Sequence, residues 1–241
     1  MVFVGRQREI ARTIGQLQDG GNVVVRGKLG IGRTSIVRRV GDIMGDGWSF
    51  HFESFSQGPA GICFGLLRQL GLRPTTSRGH MLSFVSARAR LLRAKPPGGG
   101  RHVLVFDDIE AVTAPKLALI RALALTGHYQ LVAIVDHHIG ESELFDLKAS
   151  LYPVRVVTLF ALPLREAEEF FARASEKLAL GLGAGEIAGL AKTSGGYPLM
   201  MVEAVAFAAR QRTGSAGRGP ASWGGGPFGR LAPHGPTEGR R

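Results

Sequence analysis

Apolar and polar positions change their period several times along the 241 residues, and each change marks an element. Residues 3–18 read as a turn and then an amphipathic helix, with Ile10, Ile14 and Leu17 on one face and Asp19-Gly20-Gly21-Asn22 ending it. Val23-Val24-Val25 is a short buried strand, and residues 35–40 return to helical spacing, predicting a helix that runs to about Met44. Alternation over Trp48–Glu53 predicts a second strand. Two helices follow. The first covers 61–72 with Phe64, Leu67 and Leu70 inward, and the second covers 80–94 with Leu82, Val85, Ala89 and Leu92 opposite Arg88, Arg90 and Arg93. Pro96–Gly100 is a surface connection. The unbroken apolar run 102–106, closed by Asp107 and Asp108, suits a strand covered on both faces. A helix over 115–125 and strands over 129–135 and 154–159 complete the pattern.

Strands alternating with helices predict an α/β fold, a three-layer α/β/α arrangement around a five-stranded parallel sheet, over residues 1–160. From Pro163 the pattern is wholly helical: 164–178, 184–192 and 198–212, broken at Gly195-Gly196-Tyr197-Pro198, form a small C-terminal helical lid over 163–212. The stretch 213–241 is rich in Gly, Pro and Arg with few apolar side chains, and is expected to be disordered.

Composition narrows the function. With 44% hydrophobic residues the chain can bury one sizeable core and a satellite. Its single cysteine, Cys63, excludes a disulfide framework and sits in an apolar run as a packed thiol. No run of 18 apolar residues exists, so no membrane partner is expected. The N-terminus lacks the layout of a signal peptide, and a cytoplasmic location is expected. A formal charge of +11 admits nucleic acid as a partner, although the arginines are scattered enough to be solvated helix faces. No zinc-finger or RNP-type pattern is present.

The sharpest chemical signal is the loop that follows the first strand. Residues 27–34 fit the phosphate-binding pattern Gly-x-x-x-x-Gly-Lys-Ser/Thr at every position but one, where Arg33 replaces lysine. Backbone N–H groups ending at a helix N-terminus suit a polyphosphate, and Gly27, Gly30 and Gly32 allow the turn and the close approach. Thr34 offers a hydroxyl to Mg²⁺. Arg33 keeps the charge but presents a fork instead of a point, which threatens hydrolysis more than binding. Lys28 reads as a solvated loop residue. Asp107, at the carboxyl end of its strand, is the candidate Mg²⁺ carboxylate; Asp108 is the candidate for polarising the attacking water, and Glu110 stands two residues on. The alternative for the acid pair is a solvated strand-to-helix turn. After the strand ending at Val135, Asp136 is an awkward neighbour for phosphate, whereas His137 or His138 can donate to it.

Together these pieces resemble the AAA+ and STAND P-loop NTPases, in particular ORC/Cdc6-like and STAND regulators. Phe3–Glu9 resembles the F-x-G-R-x-x-E box, Gly27–Thr34 a Walker A motif with its lysine replaced, Val103–Asp108 a Walker B motif, and Gly195–Leu199 the G-x-P segment of the helical lid. The resemblance implies that Val4, Gly5 and Pro198 border the adenine. It implies that Gly27, Gly30, Ile31, Gly32, Arg33, Thr34 and Ser35 hold ATP phosphates, that Thr34 and Asp107 serve Mg²⁺, and that Asp108 is catalytic. The implied function is an ATP-binding regulatory switch with weak or absent hydrolysis, exchanging ATP and ADP. The alternatives are a DNA-associated ATPase that forms a homo-oligomer on nucleic acid, and a pseudo-ATPase scaffold for a protein partner.

Overall fold

The computed structural model describes residues 2–94 and 100–214, without the side chains of residues 213 and 214. The expectations for residues 96–99 and for the tail beyond Gly214 fall outside them. Five strands form one parallel sheet: β1 (Asn22–Gly27), β2 (Trp48–Ser54), β3 (Arg101–Ile109), β4 (Tyr129–Asp136) and β5 (Val154–Thr158), in the spatial order β2-β3-β4-β1-β5. Six helices flank it: α1 (Gln7–Gln18), α2 (Arg33–Met44), α3 (Pro59–Gln69), α4 (Phe84–Arg93), α5 (Ala114–Leu125) and α6 (Glu141–Ser150). Strand alternation decides the layers. Val23, Val25, Val103, Val105, Val132 and Ile134 face α1 and α2, whereas Val24, Leu104, Phe106, Leu131, Ala133 and Val135 face α3 to α6. Both faces are covered, which explains why the central strands read as unbroken apolar runs.

The chain leaves β1 toward β2 at one edge of the sheet and leaves β4 toward β5 at the other. Connections that depart in opposite directions open a crevice at the carboxyl ends of neighbouring strands, where α/β proteins bind ligands. A third apolar cluster lies beyond β5, among α7 (Leu164–Lys177), α8 (Ala184–Ser194) and α9 (Pro198–Gly214), around Phe171, Ala191 and Met201. Val4 of the N-terminal arm packs into this third cluster, while its neighbour Phe3 packs against the α1/α2 side of the sheet. Among the described residues no helix is long and apolar enough to cross a membrane.

Two expectations need correction. The second helix of the 61–94 region starts at Phe84, not His80, because Ser83 caps it by accepting the Ser86 amide, and Thr75 and Met81 bridge the preceding loop. Its inward face is therefore Ala87 and Leu91, and Val85 is 74% exposed. Helix α6 went unpredicted; of its apolar side chains Leu147 is fully buried and Phe145 is exposed, so no stripe shows at helical spacing. Cys63 is buried as expected, and burial pushes its thiol up to about 11.

The imidazoles of His51 on β2 and His102 on β3 meet at 2.9 Å between Nε2 and Nδ1. Burial, then the neighbouring His102 ring, lowers the pKa of His51. The unfolded chain thus binds a proton more readily than the folded one as pH falls through the ordinary histidine value, about 6.5, so stability is full above that pH and declines below it. Urea titrations at neutral and mildly acidic pH check this: wild type is expected to lose stability on acidification and His51→Gln to lose less, while equal losses would remove His51 as the cause.

Candidate nucleotide site

The turn from β1 into α2 places the loop in the crevice. Gly32, at φ 94°, is the N-cap of α2, and no side chain caps that helix. A positive φ of this kind suits glycine. The amides of Arg33, Thr34 and Ser35 are thus among those that an α-helix leaves without intrahelical partners, and with the helix dipole they form an anion-binding end. Lys28 and Leu29 at the crest of the loop are exposed.

Parallel pairing sets the end of β3 one strand beyond β4 from this turn. Thr34 Oγ1 donates to Asp107 Oδ2 at 2.9 Å, so the two residues expected to serve Mg²⁺ meet although 73 positions separate them. Asp107 Oδ1 accepts the Asp108 amide at 2.9 Å. Asp108 itself is exposed and adopts φ 59° where the β3–β4 register slips between Phe106 and Ile109. Asp tolerates this region better than most residues because its short side chain bonds locally. A hydroxyl beside a carboxylate is hard-oxygen chemistry that suits Mg²⁺. Among the described residues no group of three or more His, Cys, Asp or Glu could hold a metal ion.

Arg33 is placed differently from the other loop residues. Its side chain is 10% exposed, and Nη1 donates to Val135 O at 2.7 Å and to Asp136 Oδ2 at 3.0 Å, at the end of β4. Asp136 Oδ1 accepts the His138 amide at 3.0 Å. Burial alone would raise the Asp136 pKa, but the His138 amide and the Arg33 cation outweigh it and hold the carboxyl below its ordinary value. His137 and His138 are exposed.

Beside the loop lies a narrow, mostly apolar cleft. Its walls include Phe3 and Val4 from the N-terminal arm, Ile31 and Gly32 from the loop, Ser35 from α2, Leu162 just before the lid, and Phe170 and Pro198 from the lid. Of the residues expected at the adenine, Val4 and Pro198 line this cleft. Gly5, at φ 65°, instead backs onto Glu166 of α7, where an added Cβ would come within 1.9 Å of Oε2. Gly27 supports Ile31 from beneath, 2.6 Å from where its Cβ would be. Arg6, buried and also in the left-handed region, joins three parts: its guanidinium donates to Phe160 O after β5 and, at 3.5 Å, to Ile31 O of the loop, and pairs with Glu9 at 3.4 Å. The motif Phe3–Glu9 was legible in the sequence; this clamping role of Arg6 was not.

The lid bonds to backbone carbonyls of the loop. Tyr197 Oη donates to Leu29 O, and the Leu199 amide donates to Gly30 O at 3.1 Å. Gly196, at φ 69°, lies so close to Leu162 that an added Cβ would be 2.0 Å from its carbonyl oxygen. Generic lid helices carry no sequence signal for such contacts, but the tetrad Gly195–Pro198 marked where they fall.

No protein-family model matches the chain, and no curated protein matches it in sequence. Solved structures do match its fold. The Aeropyrum pernix Orc1 protein in complex with DNA aligns at TM-score 0.61 and 14% identity over 88% of this chain and 62% of that one. A Walker-type ATPase of Pyrococcus abyssi aligns at 0.59 and 14% over 88% and 71%. The Thermotoga maritima RuvB Holliday junction branch migration motor aligns at 0.55 and 15% over 85% and 61%. The chain thus shares the α/β P-loop fold of these structures, a five-stranded parallel sheet with flanking helices. The chain spans about three fifths of the length of the Orc1 and RuvB chains it matches.

Gly30 tests the loop–lid contact. At φ 79° an alanine is strained, and its Cβ would stand 2.8 Å from Leu199 Cβ and 2.9 Å from Leu199 Cδ2, the second of which a Leu199→Ala change removes. Gly30→Ala is expected to cost about 1–3 kcal/mol in denaturant unfolding, with Leu199→Ala recovering part of it. A cost below about 0.5 kcal/mol, the ordinary surface range, would contradict the packing described.

Proposed function

We propose that the chain binds an adenine nucleotide with Mg²⁺ between the α/β core (1–160) and the helical lid (163–212), and acts as a nucleotide-dependent regulatory switch that hydrolyses ATP slowly or not at all. The observation that carries this reading is the 2.9 Å contact of Thr34 with Asp107 beside the uncapped N-terminus of α2, with an apolar cleft alongside. In this reading the amides from Gly30 to Ser35 hold the phosphates, and Val4, Ile31 and Pro198 border the base. Thr34 and Asp107 hold Mg²⁺, whose charge offsets that of the phosphates. In the same reading Asp108, exposed at the end of β3, polarises the attacking water.

Switching follows from where the base would sit. The cleft is only about 60 Å³ as it stands, well below usual ligand-site volumes, so a purine has to separate its walls. Three of those walls, Leu162, Phe170 and Pro198, belong to the lid side. A ligand that binds the opened and closed arrangements unequally shifts the balance between them. The fit of Arg33 to Asp136 supports slow turnover, because phosphoryl transfer depends on charge placed tightly around the transferred group.

A second reading, a DNA-associated ATPase, is favoured by one feature. No Asp or Glu occurs between Glu53 and Asp107, a stretch that carries Arg68, Arg73, Arg78, Arg88, Arg90 and Arg93. Arg73, Arg90 and Arg93 line an open cavity of about 640 Å³ between the end of α3 and α4. If duplex DNA docks there, affinity falls steeply with salt, and Arg90→Ala with Arg93→Ala weakens it; binding unaffected by both would dismiss this reading.

Isothermal titration tests the main reading. Wild type is expected to bind MgATP in the micromolar range, Asp107→Ala to bind it at least about tenfold more weakly, and Arg33→Lys to raise hydrolysis above the wild-type rate. No binding of ATP or ADP at about millimolar nucleotide, roughly −4 kcal/mol or weaker, would refute it.

A further inference from the structure

Arg33 and Asp136 are the two positions at which the chain leaves the expected P-loop pattern, and they touch. The side chains are 10% and 16% exposed. One carboxylate oxygen is held by the cation and the other by the His138 amide, so Asp136 is fixed in place from both sides. The loop's own cation is therefore neutralised within the protein, while Lys28 is exposed at the crest of the turn.

We propose that Asp136 is an internal anion that competes with nucleotide polyphosphate for Arg33. A triphosphate seated in the loop draws Arg33 off Asp136, and the carboxylate thereby sets both the affinity and the discrimination between ATP and ADP. This rests on the nucleotide reading above. Opposite charges at 3 Å in a poorly solvated site attract strongly, and this attraction is lost when the guanidinium turns to a ligand. The Asp136 carboxylate then also repels the incoming phosphate charge, more for a triphosphate than for a diphosphate. Removing the carboxylate has the reverse effect. Arg33 stays largely buried with only the Val135 carbonyl against it, and a buried cation lacking its anion favours any anionic ligand within reach.

Titration of MgATP and MgADP into wild type, Asp136→Asn, Arg33→Ala and the double variant tests this, with thermal unfolding confirming that each is folded and Asp136→Ser standing in if the asparagine is not. Asp136→Asn is expected to bind MgATP about tenfold tighter than wild type, to gain less for MgADP, and to show no gain in the Arg33→Ala background. If Asp136→Asn binds MgATP no tighter than wild type, or the gain persists undiminished without Arg33, the proposal fails while nucleotide binding stands. If neither wild type nor any variant binds nucleotide, both fail together.

Discussion

The parallel pairing of β3 with β4 and of β4 with β1 is the constraint on which the site depends. It brings three carboxyl strand ends side by side, and each delivers one component: the loop after β1, the acid pair of β3 and Asp136 of β4. None of these is informative alone, since a glycine turn, two acids and an aspartate are common at strand ends. Their meeting follows from the strand order, because the chain departs from β1 and β4 in opposite directions and leaves the crevice between them open. The lid is tied to the same point by Tyr197 and Leu199, which donate to carbonyls of the loop, while Arg6 of the N-terminal arm donates to Ile31 O of the loop and to Phe160 O after β5.

Within that crevice Arg33 changes the electrostatics. A lysine would bring a compact, strongly hydrated charge, whereas the planar guanidinium reaches the β4 end and holds a carbonyl and a carboxylate together. Thr34 and Asp107 meanwhile meet in a direct hydrogen bond, two hard oxygen groups of the kind the proposed Mg²⁺ role calls for. The site therefore combines a hydroxyl–carboxylate contact with a loop cation already paired within the protein, and this combination is the physical basis for proposing that nucleotide is held better than it is cleaved.

Much of the fold was legible because burial on both faces turns the central strands into apolar runs bounded by glycine and acid signals, as at Val23–Val25 and 102–108. The inward face of α4 was misread because its boundary, set by the Ser83 cap, lay four residues later than the periodicity suggested. Helix α6 was invisible because its apolar residues form no stripe. In the site, the local motifs were readable, and the contact of Thr34 with Asp107 follows from the parallel sheet. The contact of Arg33 with Asp136 was not readable: each looked like a separate departure, 103 positions apart, and nothing in a one-dimensional pattern reports that two irregular residues neutralise each other.

Hydrogen exchange of the backbone amides, with and without MgATP, addresses the central claim most directly, because it reads the loop itself and needs no turnover. Nucleotide seated as described slows exchange at the amides of residues 30–35 and alters it at 197–202, where the lid meets the loop. Exchange in both segments that is indifferent to saturating MgATP would contradict the account.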